Sequence, residues 1–136
     1  MSRNDIDRGI ELAPDSPPLL CLRGLLEMRD GALDHACDDF TRAIELKPSL
    51  ADAWANRGTI FFKRGAVENA LADLTRAAQL REDAAILYNR GRVLEAQQRW
   101  QEAIDDYERA MTISLGDVHK IARRRDQCLC ILRGCD

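Results

Sequence analysis

Large apolar residues recur along this chain at steps of 34 and then 33 positions. Leu20, Trp54 and Leu87 make one series, and Leu26, Ile60 and Val93 a second. Phe40, Leu74 and Tyr107, and then Leu46, Leu80 and Ile113, make two more. A fixed period of this length marks a helical repeat array, and each period reads as two short helices. The pattern predicts helices over about 18–29 and 33–46, 51–63 and 67–80, and 84–96 and 100–113. Gly31 and Gly65 supply the turn inside the first two pairs, whereas Gln98 holds that place in the third, where the turn signal is weaker. Pro14, Pro17 and Pro18, and later Pro48, separate one pair from the next, because proline opens a helix but does not continue one. Asp83 fits an N-cap for the third pair.

Small residues keep the same register: Gly24, Gly58 and Gly91; Ala36, Ala70 and Ala103; Ala43, Ala77 and Ala110. Glycine inside a helix costs roughly 0.5–1 kcal/mol relative to alanine. Three of them at one register therefore point to close approach of the paired helices. Gly58 is expected to meet Ala70 across the turn, and Ala77, about two helical turns beyond Ala70 on the same face, to admit the following pair. Arg23, Arg57 and Arg90 recur in step, and Asn56 recurs as Asn89.

With Trp54, Gly58, Phe61, Ala70, Leu74 and Ala77 in its central period, the chain resembles the tetratricopeptide repeat (TPR) family over residues 17–115. The resemblance implies an all-α fold: a right-handed superhelical stack of antiparallel helix pairs, a TPR α-solenoid, with a C-terminal capping helix. There are departures. Glu27 stands where an aromatic residue is usual, and Glu82 and Leu115 replace the closing proline that Pro48 provides in the first repeat. The second repeat is also one residue short, near Glu82.

The two ends extend the pattern. Residues 5–14 match residues 39–48 in type, position by position, so the chain opens in the second helix of a repeat. This suits a fragment of a longer array better than a cap, since Ile6 and Ile10 would otherwise leave apolar surface without a neighbour. After a stop at 114–117 a last helix is expected from 118 to about 133, with Val118, Ile121, Ala122, Leu129 and Leu132 on one stripe interrupted by Arg125. It lacks the small residues of the repeat register and would hide the last apolar face of the array. The expected division is a single domain: a partial repeat at 1–16, repeats at 17–50, 51–83 and 84–116, and a capping helix at 117–136.

Composition narrows the function classes. The formal charge of −3 makes the whole chain a poor nucleic-acid binder. No apolar run approaches the roughly 18 residues of a membrane span, and no signal peptide precedes the first helix. Cys21, Cys37, Cys128, Cys130 and Cys135 are odd in number and show no CxxC spacing. Cys128 and Cys130, two apart on a helix, point away from each other and cannot share a metal. They read as small buried or half-buried thiols of a reducing, cytoplasmic compartment. His35 and His119 lie in different repeats, His35 reading as a surface residue, and no phosphate loop or hydrolase motif appears. The sequence therefore points to no enzyme, no metal and no cofactor. The acid pairs Asp38-Asp39 and Asp105-Asp106 read as a solvated helix face.

The informative surface is the inner face made by the first helix of each pair, which in the TPR family lines a concave groove for peptides or helices. Helical spacing places Leu22, Leu25 and Arg29 on this face, followed by Asn56, Thr59 and Lys63, then Asn89, Arg92 and Ala96, then Arg123 and Asp126. Asn56, Thr59, Lys63, Asn89, Arg92 and Arg123 are the candidate peptide contacts, with the two asparagine amides free to pair with a peptide backbone. The set that holds a heat-shock chaperone's C-terminal carboxylate in some TPR proteins is incomplete: Asn56 fits, but Cys21, Leu25, Ala85 and Asn89 occupy the other places. One repeat further along, Asn89 and Arg123 fit and His119 stands near the lysine, but Ala55 and Thr59 fail. The expected role is a protein-interaction scaffold holding a protein or peptide partner. Two alternatives stand beside it. One is self-association through exposed repeat ends. The other is a phosphate contact by the basic last helix, where Lys120, Arg123, Arg124, Arg125 and Arg133 outnumber Asp126 and Asp136; the bland reading there is a solvated cap whose cations face the acidic body.

Overall fold

A computed structural model describes residues 2–134. They form eight helices: α1 (Arg3–Leu12), α2 (Pro17–Arg29), α3 (Leu33–Leu46), α4 (Ala51–Lys63), α5 (Val67–Leu80), α6 (Ala84–Ala96), α7 (Trp100–Ile113) and α8 (His119–Arg133). No strand interrupts them among the described residues, and the architecture is the expected all-α solenoid. Each helix packs on the one before it, and the even-numbered helices also touch in sequence, α2 against α4 and α4 against α6. In a curved two-layer stack the inner layer is the crowded one. The even helices therefore form the concave layer and the odd helices the outer one.

Local chemistry explains the boundaries. Ser2 caps α1 by accepting from the Asp5 amide, and the Asp83 carboxylate accepts from the amides of Ala85 and Ile86 to start α6. Pro17 and Pro18 sit in the first turn of α2. Gly31 and Gly65 adopt positive φ at the intra-pair turns. Gln98 does the same at φ 60°, and its turn closes with the same two backbone bonds as that of Gly65. The third turn thus forms despite a side chain where left-handed backbone favours glycine.

The glycine register does what its cost implies. A Cβ on Gly24 would fall 2.8 Å from the Phe40 ring, and one on Gly91 would fall 2.4 Å from Cε1 of Tyr107. At Gly58 the nearest atom is Cγ of Leu74 at 3.0 Å, with the Ala70 carbonyl oxygen at 3.3 Å. The expected meeting of Gly58 with Ala70 is therefore real but shared. The main occupant of each notch is the large residue sixteen positions on.

Three expectations need correction. Ile6 and Ile10 are buried, Ile6 to 1% exposure, in a cluster with Leu19 and Leu20 of α2. Their apolar surface has its neighbour within this chain. In α8 the buried residues are Ile121 and Cys128, seven apart, whereas Leu132 is exposed, so the helix is rolled away from the expected stripe. Asp39 and Asp106 are buried rather than solvated; only Asp38 and Asp105 face solvent. Of the thiols, Cys21 and Cys128 are buried and Cys37 and Cys130 half-buried, and Cys135 lies outside the described residues. Burial raises the Cys21 thiol to about 11.

Candidate functional site: the concave face

The concave layer is held in register by a repeated ion pair. Arg23 donates from Nε and Nη2 to both oxygens of Asp39, at 2.9 and 2.7 Å. Arg57 does the same to Asp73 at 2.7 and 2.9 Å, and Arg90 to Asp106 at 2.7 and 2.7 Å. Each fork joins the inner helix of a pair to its outer helix, and a bidentate arginine–carboxylate pair fixes orientation as well as distance. Arg57 is further covered by Trp54 and Phe61, whose ring centres lie 5.2 and 5.6 Å from its guanidinium carbon. The arginine recurs once more in α8, where Arg125 stands six residues after the helix start, as Arg23, Arg57 and Arg90 do. There it pairs with its own neighbour, Asp126.

A second network fixes α8 to α6. Glu95 accepts from Arg124 at 2.9 Å and from the Cys128 thiol at 2.9 Å, and Arg124 Nε donates to the Tyr88 hydroxyl at 3.2 Å. Burial, with Glu95 next to it, pushes the Cys128 thiol up to about 12, so it stays a donor. Burial likewise raises the phenol of Tyr107, which packs against Tyr88 at 5.8 Å between ring centres. The basic helix is therefore only partly neutralised by the body. Arg124 faces Glu95, while Lys120 lies 4.6 Å from the Tyr88 ring centre and Arg123 is exposed.

The six sequence-derived candidates divide into two groups. Asn56 and Asn89 are half-buried at equivalent places on α4 and α6, and Lys63 is exposed in the last turn of α4. Thr59 is half-buried, and its hydroxyl is committed to the Ala55 carbonyl at 3.0 Å. Arg92 and Arg123 line adjoining hollows. Arg92 shares one with Phe62, Glu95, Trp100, Arg124 and Ile131; Arg123 shares another with Tyr88, Lys120 and Arg124; Gln127 borders both. Arg92 lies over the Phe62 ring at 5.5 Å, and its Nε is buried without a hydrogen-bond partner. Sequence reasoning missed Phe62, Tyr88 and Glu95, and took Arg124 only as one charge of the basic last helix. The signal for Phe62 and Glu95 was positional, since both stand eleven residues after the starts of α4 and α6.

Two sequence profiles described as tetratricopeptide repeat match this chain, one over residues 21–84 and the other over 84–117. The chain is a tetratricopeptide repeat protein. No curated protein matches its sequence. Among solved structures, this TPR protein is similar to YrrB, described as a TPR protein with an unusual peptide-binding site, at 20% identity and a TM-score of 0.86. That likeness covers 93% of this chain and 66% of the other. It is also similar to the first TPR domain of Spaghetti bound to the HSP90 peptide SRMEEVD, at 22% identity and a TM-score of 0.81, covering 86% of this chain and 93% of that one. A third similar structure is the Arabidopsis OM64 TPR domain, at 19% identity and a TM-score of 0.77, with 83% and 93% covered. At these identities the likeness is one of fold. No helix among the described residues is long and apolar enough to cross a membrane.

Proposed function

We propose that this TPR protein is a protein–protein interaction scaffold that holds a segment of its partner along the concave face, and that it carries out no reaction of its own. The contacts are Asn56, Thr59 and Lys63 from α4, Asn89 and Arg92 from α6, and Arg123 from α8. The observation that carries this reading is Arg92: a guanidinium over the Phe62 ring at the inner face, with Nε buried and unpaired. A buried donor without an acceptor costs about 1–3 kcal/mol, a cost that an incoming acceptor would remove. Asn56 and Asn89 support the reading, because neither amide is bonded within the described residues and their spacing by one repeat suits an extended backbone. Peptide binding in YrrB and in the Spaghetti domain adds weight by likeness of fold.

The test begins with peptides selected from a random library against the intact chain. The triple change Asn56→Ala, Asn89→Ala and Arg92→Ala should weaken the selected peptides at least about tenfold, since a direct hydrogen bond contributes on the order of 1 kcal/mol and one to a charged group more. Asp38→Ala with Asp105→Ala, both on the exposed outer layer, should leave binding unchanged. The opposite pattern would put the site on the outer layer.

A further inference from the structure

The outer helices carry an arginine series of their own, Arg42, Arg76 and Arg109. In the first pair Arg42 of α3 reaches back 27 residues to Asp15, in the loop that leads into α2, at 2.8 Å. In the third pair Arg109 of α7 reaches back 27 residues to Glu82, ahead of α6, through two bonds of 2.5 and 2.7 Å. Each staple ties the loop between two pairs to the outer helix of the pair that follows. The same step back from Arg76 of α5 leads to Ser49, in the loop between α3 and α4. There the staple is missing. Arg76 is exposed and holds no carboxylate among the described residues, and the Ser49 hydroxyl is exposed and outside any hydrogen bond. Asp52, three residues after Ser49, is taken by Arg81. Of the other serines, Ser2 and Ser114 accept from backbone amides and Ser16 is half-buried.

We infer that Ser49 is a phosphorylation site: a protein kinase moves the terminal phosphoryl group of a nucleoside triphosphate to its Oγ, and the phosphate then takes the Arg76 guanidinium as Asp15 takes Arg42 and Glu82 takes Arg109. The Oγ–P bond forms as the bond from that phosphorus to the departing nucleoside diphosphate breaks, and the hydroxyl proton passes to a base of the kinase. The bare hydroxyl is too short for the staple. A phosphate oxygen on it stands as many bonds from Cα as the carboxylate oxygens of Glu82 do. The group also brings about −1.5 to −2 charge at pH 7 and three acceptor oxygens, which order a loop when an arginine faces them. None of the groove contacts takes part, but the site bears on them. The Pro48 carbonyl next to Ser49 accepts from Trp54 Nε1 at 2.8 Å, and Trp54 covers Arg57 in α4. The phosphate therefore ties the entry of the helix that carries Asn56 and Thr59 to α5.

The test has two arms. The intact chain is incubated with ATP labelled at its terminal phosphate and an extract of the cells that make the chain. The parent should take up label at Ser49, located by mass spectrometry, and Ser49→Ala should lose nearly all of it. In the second arm phosphoserine is introduced at position 49 by genetic encoding and thermal melts are followed by circular dichroism. The phosphoserine chain should melt a few degrees above the parent, as charge-assisted hydrogen bonds to an arginine imply. Ser49→Glu should show a smaller rise. Arg76→Gln should remove the gain in both, whereas Arg42→Gln, which breaks the staple of the first pair, should leave it. No label, label retained by Ser49→Ala, no gain from phosphoserine, or a gain that survives Arg76→Gln would each overturn the inference.

Discussion

Glu27 occupies the place held by Phe61 and Leu94 in the following repeats, and it is 6% exposed. Its carboxyl lies within hydrogen-bond reach of Asp39, yet its Oε2 meets no protein donor. Arg23 is committed to Asp39, and the nearest atoms of Arg23 and Arg3 stand 3.6 and 3.8 Å from Glu27. Two acids facing each other under one arginine favour a shared proton. Burial first and the Asp39 charge second raise the Glu27 carboxyl from 4.5 to about 7. The folded chain therefore binds more protons than the unfolded chain between those values. Its stability should fall as pH rises from 4.5 to 7 and then level off, by on the order of 2 kcal/mol from this group. Glu27→Gln keeps a donor for Asp39 and removes the titration. Urea melts at pH 5 and pH 8 should show the variant with a smaller difference between the two and a higher stability at pH 8. A difference equal to that of the parent chain would show that Glu27 is not the titrating group. The sequence marks Glu27 as a departure, but only the placement of Asp39 beside it turns the departure into a proton site.

At the scale of the helix, the boundaries were legible to within about a residue, because proline, glycine and the Asp83 cap act locally. What a helix buries was less legible. Asp39, Asp73 and Asp106 recur sixteen residues after Arg23, Arg57 and Arg90, and that series was present in the sequence. The doubled acids at 38–39 and 105–106 hid it; the central repeat, with Ala72 before Asp73, shows which of the two is the constant one. The roll of α8 was hidden for a different reason. Cys128 reads as a minor residue, yet it is fully buried beneath Glu95, while the bulkier Leu132 faces solvent. Burying a side chain of the size of Ile121 contributes about 1.5–3 kcal/mol, and loss of α8 would also leave Glu95 without Arg124. Ending the chain after Leu115 should therefore lower the melting temperature sharply, whereas Leu132→Ala should change stability by no more than about 0.5 kcal/mol. Thermal melts followed by circular dichroism decide this. An unchanged melt on truncation would make α8 an appendage, and a large loss from Leu132→Ala would restore the stripe first expected.

At the scale of the whole molecule, the order of the helices puts the even ones inside, and every candidate contact lies on α4, α6 or α8. That much follows from the period alone. The pairing of Arg92 with Phe62, and of Lys120 with Tyr88, does not, because each joins side chains about thirty positions apart through the curvature of the stack. The burial of Ile6 and Ile10 also removes the reason for expecting a sticky first helix, while Arg92 on the concave face keeps a buried Nε without a partner among the described residues. The most direct test is amide chemical-shift mapping of the intact chain with a library-selected peptide. The account predicts that the largest shifts fall at Asn56, Thr59, Asn89, Arg92 and Arg123, on the inner helices. Shifts confined to α3, α5 and α7, with those residues unmoved, would contradict it.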